Sequence, residues 1–200
     1  DIFVLKLNSS GTFQWVKTYG SASNMQLGND IAVDSSGNSY TTGFFRGTVD
    51  FGGGDVTSAG SSNDIFILKL NSSGTFQWVK TYGGTDDDRG NGISVDSSGN
   101  SYTTGYFEGT VDFGGGDVTS SGSTDIFILK LNSSGTFQWV KTYGGTDVDQ
   151  GQGIAVDSSG NSYTTGNFQG TVDFGGGDVT SSDFRDIFVL KLNSSGGGIE

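Results

Sequence analysis

One stretch of twenty residues recurs almost unchanged, and it limits what this chain can build. Asp64–Gly83, DIFILKLNSSGTFQWVKTYG, appears first as Asp1–Gly20 and again as Asp125–Gly144. A fourth copy begins at Asp186 and stops after DIFVLKLNSSG, where GGIE follows. The starts lie 63, 61 and 61 residues apart. Residues 1–200 are therefore a single repeat array, with units 1–63, 64–124 and 125–185 and a partial unit 186–200. A unit this short cannot bury its own apolar face and must stack on its neighbours.

Each unit reads as strand throughout. Ile65–Leu70, IFILKL, is β-branched and aromatic with apolar residues on both faces, as in a strand covered on both sides. Asn71-Ser72-Ser73-Gly74 is a turn, because Asn and Ser bond their own backbone and Gly takes a positive φ. Thr75–Tyr82 alternates as a hairpin partner, with Phe76, Trp78, Lys80 and Tyr82 on one face. The polar segment GGTDDDRGNG reads as a long loop. Ile93–Asp96 is a short strand, Ser97-Ser98-Gly99-Asn100 turns the chain, and Ser101–Phe107 returns. A second long connection carries TVDF and DVTS around Gly114-Gly115-Gly116, the pattern of a small inserted hairpin. No segment has helical periodicity. Four antiparallel strands per unit at a fixed period is the pattern of a β-propeller blade.

Composition agrees and excludes several functions. Gly is 36 of 200, well above the usual share of about 7%. Yet 15 Phe, 7 Tyr and 3 Trp recur at fixed places, which a disordered chain would not show. Net charge is −12 with no basic stripe, which argues against nucleic acid and anionic membrane surfaces. No apolar run reaches the ~18 residues of a membrane-spanning helix. With no His and no Cys, a Ser/His/Asp triad or a Cys/His pair is impossible. Asp86, Asp87 and Asp88 read as solvated carboxylates, with calcium more plausible there than catalysis but without the spacing of an EF-hand loop. The first unit carries SASNMQ at that place. Asp50/Asp55, Asp112/Asp117 and Asp173/Asp178 read as stabilising the turn around three glycines. No cofactor or metal site is expected.

GISVDSSGNSYTTGYF, then GTVDFGGG, then SxDIFxLKLNSSGxFxWVKxYGG, resembles the bacterial β-propeller repeats called SBBP repeats. The resemblance implies an extracellular or cell-surface bacterial protein that uses its propeller for binding, and implies no enzyme. It also places Ile93–Asp96 innermost in a blade, Ser101–Phe107 second, Ile65–Leu70 third and Thr75–Tyr82 outermost. Trp15, Trp78 and Trp139 on the outer strand then pack against the adjacent blade, with sugar stacking as the alternative.

In that phase the chain supplies strands three and four, two complete blades, and strands one, two and three, so the third strand is provided twice. Three blades are too few for a closed ring of about four to eight. Dimerisation to a six-bladed ring is the expected repair.

The tight turns NSSG and DSSGN never vary between units, whereas the two long connections do, and in a meander these emerge on one end. The candidate binding residues are Phe44, Arg46, Arg89, Asn91, Tyr106, Glu108, Gln150, Gln152, Asn167 and Gln169. They point to a non-catalytic module that binds a glycan or another protein. The alternative is a structural or engineered scaffold with no native ligand.

Overall fold

The computed structural model describes residues 1–21 and 24–198. In chain order the strands are β1 (Ile2–Leu7), β2 (Phe13–Tyr19), β3 (Gln26–Val33), β4 (Ser39–Phe45), β5 (Thr48–Asp50) and β6 (Asp55–Thr57). They continue with β7 (Asp64–Leu70), β8 (Phe76–Tyr82), β9 (Arg89–Val95), β10 (Ser101–Asp112), β11 (Asp117–Leu131) and β12 (Phe137–Tyr143). The last are β13 (Gln150–Val156), β14 (Ser162–Phe168), β15 (Thr171–Asp173), β16 (Asp178–Thr180) and β17 (Asp186–Leu192).

Two complete antiparallel blades stand in the middle, β3-β4-β7-β8 and β9-β10-β11-β12. They are flanked by the pair β1-β2 and by the three-stranded sheet β13-β14-β17. The order within each blade is the one the resemblance implied. The inserted hairpins form as expected: β5-β6 and β15-β16 are separate two-stranded sheets, and in the second complete blade the pairing runs on through β10 and β11. Asp50, Asp112 and Asp173 each accept two N–H groups from the glycines beyond them, for example Gly52 at 2.7 Å and Gly54 at 3.0 Å from Asp50 Oδ1.

The cores lie between blades. Ile65 and Ile67 on β7 pack against Phe127, Leu129 and Leu131 on β11, all fully buried. Ile2 and Val4 meet Phe66, Leu68 and Leu70 in the same way, and Ile126 and Ile128 meet Phe188 and Leu192. Each third strand thus turns its β-branched residues to the next blade and its Phe and Leu residues to the previous one. This explains the apolar run on both faces.

The rim of tight turns is stitched from blade to blade. Trp15, Trp78 and Trp139 donate through Nε1 to Ser72, Ser133 and Ser194 carbonyls in the next turn, at 3.3, 3.3 and 3.2 Å. Lys6, Lys69 and Lys130 donate to the same carbonyls. Tyr40 and Tyr102 hydroxyls reach the carbonyls of Gly99 and Gly160. Within each turn, Asn71 Oδ1 accepts Ser73 N and Thr75 N, and Asp96 accepts Ser98 N, Asn100 N and Asn100 Nδ2. NSSG and DSSGN are therefore fixed by contacts made both inside the turn and across the junction.

Candidate functional site

The opposite rim holds the variable residues. Arg89-Gly90-Asn91-Gly92 reads from sequence as loop, but the structure makes it the first half of the innermost strand β9. Leu27-Gly28-Asn29-Asp30 and Gln150-Gly151-Gln152-Gly153 take the same place in β3 and β13. Space near the axis is the reason for the glycines. A Cβ on Gly90 would stand 2.2 Å from Thr42 Oγ1, and one on Gly151 would stand 2.1 Å from Thr104 Oγ1. Gly-rich composition here signals close backbone approach rather than a loop.

A β-bulge sits at the same place in each inner strand. The register skips Asn29, Asn91 and Gln152, so none of them has a partner on its own second strand. Bulges re-aim side chains. Asn29 Nδ2 donates to Gly90 O at 2.8 Å, and Asn91 Nδ2 donates to Gly151 O at 2.8 Å, each in the next blade. Asp30, present only in the first unit, adds a bond from Ile93 N to its Oδ2 at 2.8 Å. Sequence reasoning missed Asp30 because its partner lies 63 residues away.

Two residues earlier, Leu27, Arg89 and Gln150 lie directly opposite Phe44, Tyr106 and Asn167. These columns open onto a shallow pocket of about 430 Å³ lined by Leu27, Asn29, Phe44, Arg89, Asn91, Tyr106, Gln150 and Gln152. Arg89 is its centre. Its guanidinium carbon lies 4.4 Å from the centroid of Phe44, a blade away, and 5.9 Å from that of Tyr106. Its Nε is 2.9 Å from Asp87 Oδ2, a charge contact rather than an aligned hydrogen bond. Asp87 also accepts the Tyr106 hydroxyl at 2.8 Å and Asn63 Nδ2. Burial and this bond to Asp87 push the Tyr106 hydroxyl well above its ordinary pKa, so it remains a donor at any physiological pH. The units differ here: Met25 and Val148 replace Asp87, so only the second complete blade carries the ion pair.

Six of the ten sequence candidates thus line the pocket: Phe44, Arg89, Asn91, Tyr106, Gln150 and Gln152. Asn167 faces Gln150, with its Oδ1 buried and without a protein donor. Arg46, Glu108 and Gln169 fall outside it; Arg46 is exposed, and Glu108 and Gln169 are held through their backbone N–H groups. Those N–H groups go to Asp88 and Asp149, at 3.0 and 2.9 Å.

The reading of Asp88 as solvated is corrected: Asp88 and its counterpart Asp149 are completely buried. Each also accepts the N–H of a glycine, Gly84 at 2.8 Å and Gly145 at 2.7 Å. Burial pushes Asp88 up to about 7, with the Asp64 and Asp87 charges adding to it against the pull of its two N–H donors. Burial likewise raises Asp64 to about 6; its Oδ2 accepts Ala59 N while its Oδ1 has no partner. The pair is repeated as Asp125 and Asp149, both raised by burial. Among the described residues no cluster of three or more acidic side chains gathers as metal ligands. Part of the SASNMQ segment, Ala22 and Ser23, lies outside the described residues.

Comparison with known proteins follows the same repeat. A family model described as SBBP, a beta-propeller repeat, matches residues 14–43, 77–106 and 138–167. Each match spans an outermost strand and the first two strands of the next blade. An uncharacterized WD repeat-containing protein of Acanthamoeba polyphaga mimivirus is 25% identical over 95% of this chain. The regulatory protein FlaEY of Caulobacter vibrioides is 28% identical over 52% of it. The chain spans only 16% and 11% of those two proteins. A solved structure of a protein of unknown function from Bacteroides caccae aligns over 95% of this chain and 85% of its own, at 8% identity and a TM-score of 0.32. The three matches stand in register with the blade order and the inter-blade cores, so the chain carries the SBBP beta-propeller repeat three times.

Proposed function

We propose that the chain is a non-catalytic binding module that takes a glycan in the pocket centred on Arg89. One observation carries the reading. Between three near-identical units, the differing side chains Leu27, Arg89 and Gln150, with Phe44 and Tyr106 opposite the first two, meet in this one pocket. The lining suits a hydroxyl-rich ligand. Asn29, Asn91, Gln150 and Gln152 present planar amide donors and acceptors, Tyr106 and Phe44 supply aromatic surface, and Arg89 offers donors for a carboxylate or hydroxyl. The similarity to a WD repeat-containing protein supports an interaction role in general terms.

The test is a panel of neutral and uronic-acid oligosaccharides titrated calorimetrically at pH 7. At least one should bind, with affinity falling tenfold or more in Arg89→Ala and in Asn91→Ala, which remain folded by circular dichroism. A blank panel on folded protein sinks the glycan reading and favours a protein ligand or a scaffold without one.

A further inference from the structure

The two ends of the array expose the two halves of one junction. At every internal junction, Ile and Val residues of one third strand cover Phe and Leu residues of the next. At one end β1 leaves Phe3, Leu5 and Leu7 at 67%, 46% and 48% exposure. At the other, β17 leaves Ile187 and Val189 at 83% and 75%. Their counterparts Ile65, Ile67, Phe66 and Leu68 are wholly buried.

Two more features match. Among the described residues β17 has β14 on one edge and no fourth strand on the other, whereas β1 already carries its fourth strand, β2. In the complete blades the outermost Phe lies on the glycines of the inserted hairpin: a Cβ on Gly53 would meet Phe76 Cζ at 2.4 Å, and one on Gly115 would meet Phe137 Cζ at 2.6 Å. In the last blade nothing lies within 4 Å of that position at Gly175, Gly176 or Gly177. Meanwhile Phe13 on β2 is 59% exposed. The missing ring and the empty glycines are complementary parts of one blade.

We propose that two copies of this chain join when the β1–β2 hairpin of one replaces β17 of the other. Asp1–Leu7 and Asp186–Leu192 are both DIFVLKL, so β1 can take the register β17 now holds on β14, and the exchange of ladder bonds is neutral. The gain is the fourth strand, the burial of Phe3, Leu5 and Leu7 against Ile126 and Ile128, and the placement of Phe13 on Gly175 and Gly176. Release of β17 removes Ile187 and Val189 from the open face. Two exchanges give six four-stranded blades, within the closing range of about four to eight.

The test uses the full chain. Light scattering should give twice the 20.8 kDa chain mass. Ile187→Asp with Val189→Asp should leave that dimer intact, while Leu5→Asp should weaken it at least tenfold. Lys191 now pairs with Tyr163, so in the exchanged blade Lys6 of the second copy stands there. The chain has no Cys, and Lys6→Cys with Tyr163→Cys should oxidise to a covalent dimer. A monomer at every concentration, a mass above the dimer, loss of the dimer in the Ile187/Val189 variant, or no cross-link in protein that is folded when reduced would each overturn the proposal.

Discussion

The rim of tight turns and the rim of the pocket are reached by the same strands, yet they are held by different means. On the turn rim every blade repeats one set of bonds to the next, and each donor has an acceptor that never varies: Trp78 and Lys69 on Ser133 O, Tyr40 on Gly99 O. On the pocket rim Leu27, Arg89 and Gln150 stand at equivalent positions, and what recurs is the amide bond of Asn29 and Asn91 to a carbonyl of the next blade and the buried carboxylates Asp88 and Asp149. Where a side chain bonds a fixed carbonyl across a junction its type is kept, as at Trp78, Lys69 and the Asn29/Asn91 pair. Where it makes no such bond, as at Leu27 and Arg89, it is free to differ.

The sharpest way to break this contrast is on the turn rim. Trp78→Ala removes a ring that packs edge-on to Tyr40, contacts Gly135 and bonds to Ser133. It should cost about 3 kcal/mol in urea unfolding, in the range for a large core truncation. A loss below about 1 kcal/mol would mean that the turn rim does not hold the blades together.

The rims should also respond to pH with opposite sign. Asp64 and Asp88 on the pocket rim have folded pKa values raised to about 6 and about 7. Their contribution is complete below the ordinary value near 3.8 and is lost as pH rises through 6 and 7. On the turn rim, burial is the largest single influence on Asp34 and raises it, but the bonds from Asn38, Ser36 and Tyr40 together outweigh it and lower its pKa, and bonds from Asn161 lower Asp157. Those contributions are present above the ordinary value and fade as pH falls through the lowered one. Asp64→Asn keeps an acceptor for Ala59 N and cannot ionise. Relative to the parent it should gain stability as pH rises from 4 to 7, by up to about 1.4 kcal/mol per pH unit. A gap that is flat with pH would count against the buried-acid account.

A milder change is Asp96→Ala, which leaves the N–H groups of Ser98 and Asn100 and the Asn100 amide without their acceptor. A thermal melt should show a loss of about 2 kcal/mol. Smallest of all is the triple change of Arg46, Glu108 and Gln169 to Ala. It should leave stability within about 0.5 kcal/mol of the parent, because only the backbone of these residues is engaged. Loss of glycan binding in that triple variant, with Arg89 intact, would move the site outward from the pocket.

Much of the architecture was legible because it rests on repetition and alternation. IFILKL with apolar residues on both faces, the glycine turns, the inserted hairpin and the inward role of the tryptophans all follow from side-chain type and period. The inner strand was not legible over Arg89–Gly92. Two glycines there look like loop, and the close approach that demands them involves Thr42 and Gln152, about 50 and 60 residues away. Nor was Asp88, whose neighbours in sequence, Asp87 and Arg89, are charged and half-buried while its own partners belong to Gly84 and to β10. Of the site, the variable columns were visible by comparing units. The bulge that turns Asn91 away from its own blade was not, since no local residue pattern marks it.

The bonds between blades also have a direction. Trp15, Lys6, Tyr40 and Asn29 all donate forward, to the blade that follows in the chain, while Ile93 N donates back to Asp30 at the one seam that carries that residue. A unit that is both donor on one side and acceptor on the other can be inserted or removed between any two others without leaving a mismatched seam. In a gene whose copies are this alike, unequal recombination would lengthen or shorten the protein by about sixty residues at a step while every remaining seam stays sound. Blade number is then a heritable variable, and the length of the array can change faster than the chemistry of any single blade.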